Sequence, residues 1–281
     1  YPAHGAGSAC GKNLSTDTWS TIGEQRVTNY ALVPMTKDDF VAVVTEGQSA
    51  PPAYFSYDAH LNREIRPILD EDTVPEALDI PAVVGRQRTG AVVLDARDPG
   101  EFALGHLIGS VNVGLSGRYA EFAGGVIQPG APIVLVTEPG LELEAKNRLA
   151  RIGFDNVVGY LRDPVAAFHD NPGDVARSSR VDVAGLESAL EDNPDLQLVD
   201  IRQPGETDGG VIEGATLIPL TLLNERLASL DASKPTIVYC AGGYRSSIAA
   251  SRMAAAGFGD VADLLGGYGA WEAAHDAAPA G

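Results

Sequence analysis

The sequence predicts an α/β chain of two similar units, each a mostly parallel sheet flanked by helices, behind an N-terminal segment of different character. Three observations predict it. Short Val, Leu and Ile runs alternate with helix-like stretches, the pattern of a parallel sheet covered on both faces. Two long stretches repeat one another at an offset of 103 to 105 residues. The length of 281 residues, with 44% hydrophobic and 21% charged residues, suits two or three domains and excludes wholesale disorder.

Residues 1–72 match neither repeat. Within them Met35-Thr36-Lys-Asp-Asp-Phe40, followed by Val41-Ala-Val-Val-Thr45, predicts an N-capped helix. Pro51-Pro52 interrupts that pattern, and Asp70-Glu-Asp72 marks a polar junction. The first unit spans 73–170. It has a strand at Val92–Leu94, the turn Asp95-Ala-Arg97-Asp-Pro-Gly-Glu101, and a second strand at Ile133–Val136. Asn171-Pro-Gly-Asp174 through Ser178-Ser-Arg180 reads as a linker. The second unit spans 179–276. It has a helix over Ala184–Leu190 and a strand at Leu196–Val199, then Asp200-Ile-Arg202-Gln-Pro-Gly-Glu206. A strand at Ile237–Tyr239 and a helix over Ser246–Ala256 follow. The repeat is also carried by Gly109-Ser-Val against Gly214-Ala-Thr and by Ile152-Gly-Phe against Ala256-Gly-Phe. A period this long indicates duplicated domains rather than a solenoid.

The formal charge of −18 disfavours nucleic acid and anionic membrane surfaces as partners. No apolar run approaches the roughly 20 residues that span a bilayer. With no signal peptide in view, the expected location is cytoplasmic. The opening on Tyr1 without Met reads as a fragment or processed product. Two cysteines, Cys10 and Cys240, are too few for a disulfide scaffold.

Cys240 carries the chemistry. It follows an apolar run and precedes Ala241-Gly242-Gly243-Tyr244-Arg245-Ser246, where a helix begins. Such strand–loop–helix junctions are where parallel sheets bind ligands. Inward backbone amides, the helix N-terminus and Arg245 all favour a thiolate over a thiol. A thiolate ringed by donors is a nucleophile prepared for an anionic substrate. Four residues separate Cys240 from Arg245, one fewer than in the loop of cysteine-dependent phosphatases. The smaller cradle suits a terminal sulfur better than a tetrahedral phosphate.

This loop resembles the active-site loop of rhodaneses, the sulfurtransferases. Asp200-x-Arg202-x-Pro-x-Glu206 is similar to their upstream motif, and Gly266-Gly267-x-x-x-Trp271 to their C-terminal one. The resemblance covers both units. It implies that Cys240 takes the outer sulfur of thiosulfate or a persulfide and passes it from a Cys240 persulfide to a thiol acceptor. It further implies that amides from Ala241 to Ser246 hold the persulfide and that Arg245 pairs with Glu206. Asp200 is read either as a strand-end acceptor of loop N–H groups or as a residue with a direct role. Arg202 either shapes the pocket mouth or forms a salt bridge. Tyr244 either contacts substrate or lies on the surface. The second unit has Gly210-Val211-Ile-Glu-Gly214 where the first has Gly105-His106-Leu-Ile-Gly109, so the family's usual His is kept only in the first. His106 reads as structural.

The first unit is expected to be silent. Thr137 stands at the position of Cys240, followed by Glu138-Pro139-Gly-Leu-Glu142-Leu-Glu144. A threonine has no thiolate, the glutamates repel anions, and Pro139 lacks an amide donor.

The pattern Pro2-x-His4, with Ser20–Arg26 and Asn29-x-Ala-Leu32, resembles the end of a metallo-β-lactamase-fold domain, with persulfide dioxygenases among the closest in pattern. That implies that residues 1–72 are its remnant and that His4 is a ligand for iron or zinc in an intact parent. The family's main motif, His-x-His-x-Asp-His, does not occur in the 281 residues, so no metal or other cofactor is expected in this chain. The expected partners are a small anionic sulfur donor and a thiol acceptor. The alternative function is a non-catalytic sulfur carrier or scaffold attached to a larger metal-dependent hydrolase or persulfide dioxygenase.

Overall fold

The computed structural model describes residues 17–46, 51–52 and 54–276. The chain separates near residue 50 into two compact units. In the smaller, the helix Ile22–Thr28 is capped by Thr21, whose hydroxyl accepts the Glu24 amide. The expected helix is present as Lys37–Thr45, with Thr36 accepting the Asp39 amide. Neither helix buries a residue, and Ile22, Val27, Phe40 and Val41 are exposed.

The larger unit contains both repeats. In chain order the first has strands β1 (Ala77–Leu78), β2 (Val92–Asp95), β3 (His106–Leu107), β4 (Val111–Asn112), β5 (Ile133–Val136) and β6 (Val157–Leu161). A short β7 (Val175–Ala176) follows. The second repeat has β8 (Ser179–Val181), β9 (Gln197–Asp200), β10 (Thr216–Leu217), β11 (Thr236–Tyr239) and β12 (Val261–Leu264). The two main sheets run β1-β6-β5-β2-β4 and β8-β12-β11-β9-β10. Every pairing in them is parallel, and the orders correspond strand for strand. The duplication seen in the sequence is thus a duplication of topology.

Because side chains alternate along a strand, each sheet presents two apolar faces. Val134 and Val136 point to a core with Leu78, Ile80 and Val83. Ile237 and Tyr239 point to another with Leu186 and Leu264. The opposite faces, carrying Leu94 and Leu135 from one repeat and Val199 and Val238 from the other, share one core. Fully burying such a side chain stabilises by about 1.5–3 kcal/mol, so this shared core binds the repeats into one body. The helix Tyr244–Ala255 seals it. Ile248, Ala249 and Met253 enter the core, and the Ser251 hydroxyl accepts the Asn112 amide of edge strand β4 at 2.9 Å.

Two segments differ from the sequence reading. The helix Tyr54–Leu61 lies within the expected 1–72 segment, yet it packs on the first repeat. Tyr54 is buried in the shared core and Tyr57 meets Phe154 edge-on at 6.3 Å. Gly124 leaves room for the Tyr54 ring, which a Cβ there would meet at 2.3 Å. The expected linker is also built into sheets. β7 pairs antiparallel with β3, and β8 is the edge strand of the second sheet. Its turn residues dominate the local pattern and mask two short strands.

Candidate active site

The register pairs Tyr239 with Asp200, so Cys240 leaves β11 beside the turn that follows β9. Cys240 is 2% exposed. Its sulfur receives the Gly243 amide at 3.1 Å and lies 3.6 Å from the Ser246 hydroxyl, to which the thiol donates. The Ser246 hydroxyl in turn donates a hydrogen bond to the Gly243 carbonyl at 3.0 Å. When the sulfur is ionised, that hydroxyl can rotate to donate to it. Gly243 adopts φ +95°, which turns its amide inward. A Cβ there would stand 3.2 Å from the Gly266 nitrogen. The helix Tyr244–Ala255 starts at the next residue, and its first amides have no partner within the helix.

Arg245 and Glu206 form a two-pronged ion pair, both bonds 2.6 Å. Arg245 holds the Glu206 carboxyl below its ordinary range. Glu206, with a smaller contribution from Cys240, raises Arg245 further against the opposing effect of burial. Behind Glu206 stands a buried brace. Arg202 binds both oxygens of Asp200 and donates to the carbonyls of Glu206 at 3.1 Å and Gly210 at 2.8 Å. Its guanidinium also sits 4.1 Å from the Tyr268 ring centre. Arg202 is 2% exposed, so it supports the loop from behind and does not form the mouth. Asp200 accepts one loop amide, that of Arg202, and otherwise anchors the guanidinium.

Tyr244 makes a contact that neither expectation described. It is half-buried, and its phenol leaves the loop for the first repeat. It donates to the Gly114 carbonyl at 2.7 Å and lies 3.1 Å from the Ser116 carbonyl. Burial pushes its hydroxyl up to about 12. Ala241 and Gly242 are exposed at the mouth.

One support was not anticipated. The amides of Tyr268 and Gly269 donate to the carbonyls of Cys240 at 2.7 Å and Ala241 at 3.0 Å. The helix Gly267–Asp276 thereby holds the outer side of the loop. Gly267 has φ +57°, and a Cβ on it would come within 2.2 Å of the Cys240 carbonyl oxygen. The adjacent pair Gly266-Gly267 was the sequence signal for so close an approach.

At the equivalent place in the first repeat, Thr137 follows β5 and is 2% exposed. Its hydroxyl is buried with no hydrogen-bond partner among the described residues. Gly140 has φ +91°, close to Gly243, but its amide donates to the side chain of Glu142 at 3.1 Å. A cleft of about 400 Å³ remains, lined by Thr137, Glu138, Leu141, Glu144 and Arg148 among others. His106 is structural. Its Nδ1 bonds the Phe102 carbonyl at 2.8 Å, its ring stacks on Phe102, and burial holds it below its ordinary range.

His4 and Cys10 lie outside the described residues. Among the described residues, no three His, Cys, Asp or Glu side chains assemble into a metal site, and no helix is long and apolar enough to cross a membrane.

Comparison with known proteins gives one matching family. Residues 82–171 and 182–274 each match the description "Rhodanese-like domain". A probable adenylyltransferase/sulfurtransferase MoeZ of Mycobacterium tuberculosis is 38% identical over 104 residues, which are 36% of this chain and 26% of that protein. The chain thus spans about a quarter of that relative's length. A sulfurtransferase of Allochromatium vinosum is 34% identical over 33% of this chain and 87% of its own length. Among solved structures, a rhodanese-like domain protein from Staphylococcus aureus is 31% identical over 33% of this chain and 90% of that chain, with a TM-score of 0.32. A metallo-beta-lactamase from Staphylococcus aureus is 27% identical over 57% of this chain and 44% of that chain, with a TM-score of 0.44.

Proposed function

The chain belongs to the rhodanese family, carrying its domain twice, and from that premise we propose that it is a sulfurtransferase working through Cys240. The observation that carries this reading is the Gly243 amide aimed at the Cys240 sulfur from a loop held by the Arg245–Glu206 pair. The Cys240 thiolate attacks the outer sulfur of thiosulfate. The new S–S bond forms as the old one breaks, and sulfite leaves with its electron pair. The terminal sulfur of the resulting persulfide carries the negative charge, close to the donors that held the thiolate. A thiol acceptor, as its thiolate, then attacks that outer sulfur and departs as a persulfide. Cys240 returns as the thiolate, and the kinetics are ping-pong. A persulfide donor follows the same course with a thiolate as leaving group. Sulfurtransferase names among the relatives, including thiosulfate sulfurtransferases, support this choice over phosphate chemistry.

The test is thiocyanate formation from thiosulfate and cyanide. Wild-type protein is expected to turn over and Cys240→Ser to be inactive; equal rates in both would sink the assignment. A stable 32 Da adduct on Cys240 without turnover would favour the carrier reading instead.

Limits of 179–276 for the second unit and silence of the first are part of the same proposal, with the first unit extended from 73–170 to take in the helix Tyr54–Leu61, whose Tyr54 lies in its core. So is descent of the N-terminal segment from a metallo-β-lactamase-fold domain. Its support is the sequence pattern around His4 together with described helices that carry exposed Ile22, Val27, Phe40 and Val41 and bury nothing. A His-x-His-x-Asp-His motif encoded upstream of Tyr1 would be the expected finding.

A further inference from the structure

One loop of the first repeat, residues 114–117, is gripped by side chains from both repeats. Tyr244 holds the carbonyls of Gly114 and Ser116. Arg148, on the helix Glu142–Ala150, donates to the carbonyl of Leu115 and, at 2.6 Å, to that of Gly117. Four successive carbonyls are thus claimed alternately by a phenol from one repeat and a guanidinium from the other. Each side chain is itself packed. The Tyr244 ring rests 5.6 Å from Phe122, and the Arg148 guanidinium lies 5.4 Å from the buried Tyr119 ring.

Tyr244 sits between Gly243, whose amide meets the Cys240 sulfur, and Arg245, which is clamped to Glu206. A side chain there fixes the first turn of the catalytic helix. Backbone amides stabilise an anion only while they are aimed at it, and small misplacements are costly. We infer that Arg148 and Tyr244 are positioning residues for Cys240, acting through the 114–117 loop. The first repeat thereby braces, through its backbone, a loop whose nucleophile belongs to the second. This rests on the reading of Cys240 as the sulfur-transferring nucleophile.

The experiment measures alkylation of Cys240 by iodoacetamide, followed on its own peptide by mass spectrometry so that Cys10 does not contribute. The reagent is neutral, so its rate reports the thiolate and not the approach of an anion. Tyr244→Phe keeps the ring and loses the hydroxyl. It is expected to slow Cys240 alkylation roughly fivefold, the scale of one lost hydrogen bond. Arg148→Gln is expected to act in the same direction, and Arg148→Lys to recover part of the rate. The double variant should lose less than the product of the single effects, because both act on one loop. Thermal unfolding is recorded alongside. A lowered midpoint with unchanged alkylation in both single variants would reduce the two residues to ordinary packing and overturn the inference. Should Tyr244→Phe not fold, the Arg148 pair decides alone: no loss with Gln, or no recovery with Lys, overturns it. Thiocyanate assays on the same samples separate the two ideas. Absent turnover in wild type with alkylation still responding to Arg148 and Tyr244 would leave the positioning intact and remove the sulfurtransferase reading. Turnover in wild type with alkylation indifferent to both would do the reverse.

Discussion

The loops Thr137–Leu141 and Cys240–Tyr244 occupy the same place in two copies of one sheet, and their glycines at φ +91° and +95° turn the backbone the same way. They differ in what the turned amide meets. Gly243 donates to a sulfur, whereas Gly140 donates to Glu142, which stands where the second repeat has Arg245. In the first loop the turned amide is therefore already engaged by a carboxylate. The exchange of Arg for Glu also leaves Glu101, the counterpart of Glu206, without an ion pair among the described residues. A shared fold supplies the cradle, and the two copies differ in the charge at one helix position and the atom at the strand end.

The sharpest way to break this comparison is to move the nucleophile. Cys240→Ser is expected to remove turnover, and adding Thr137→Cys to it to restore none, because Glu142 still occupies the Gly140 amide. Restored thiocyanate formation from that double variant would show that the sulfur alone distinguishes the loops. Next in size is the clamp. Arg245→Ala is expected to lower kcat/KM for thiosulfate by about 10²-fold, comparable to losing a group that organises charge stabilisation. Arg245→Lys keeps the charge without the fork and should fall between. A loss under threefold for Arg245→Ala would mean that the loop holds its shape without Glu206.

A third contrast concerns backbone closeness. Gly267→Ala drives a Cβ to 2.2 Å from the Cys240 carbonyl, at a φ of +57°. Gly140→Ala meets nothing within 4 Å and carries only its φ of +91°. Chemical denaturation should report a loss of about 2–4 kcal/mol for Gly267→Ala. For Gly140→Ala about 1–2 kcal/mol is expected. Equal losses would mean that the helix Gly267–Asp276 does not press on the Cys240 loop.

Much of this was legible in the sequence because it is written in residues whose physics is local. The apolar runs that became β2, β5, β9 and β11 are buried on both faces and read as unbroken hydrophobic stretches. The turn Asp-x-Arg-x-Pro-Gly-Glu repeats because one carboxylate must pin the arginine two residues later, as Asp95 and Asp200 both do. The pairing of Arg245 with Glu206 came from resemblance, and the geometry matches it. What escaped was contact made to backbone. Tyr244, Arg148, Tyr268 and Gly269 all act on or through main-chain atoms, and a carbonyl has no letter in a sequence. The helix Tyr54–Leu61 escaped for another reason: its one buried residue, Tyr54, leaves too little amphipathic pattern to tie it to the repeat that follows.

The smallest expected effect isolates the Glu206 carboxylate. Arg245 holds its titration below the ordinary value of 4.5, so the folded chain binds its proton less tightly than the unfolded chain. The stabilisation is then complete above that ordinary value and disappears as pH falls through the lowered one. The difference in unfolding midpoint between wild type and Glu206→Gln should stay constant from pH 7 to about 5 and close only below 4.5. At Glu101 the same substitution removes no ion pair, so it should show no such closing. A Glu206 difference that vanishes well above pH 5 would mean that the clamp is not what lowers the carboxylate, and the charge contrast between the two loops would lose its physical basis.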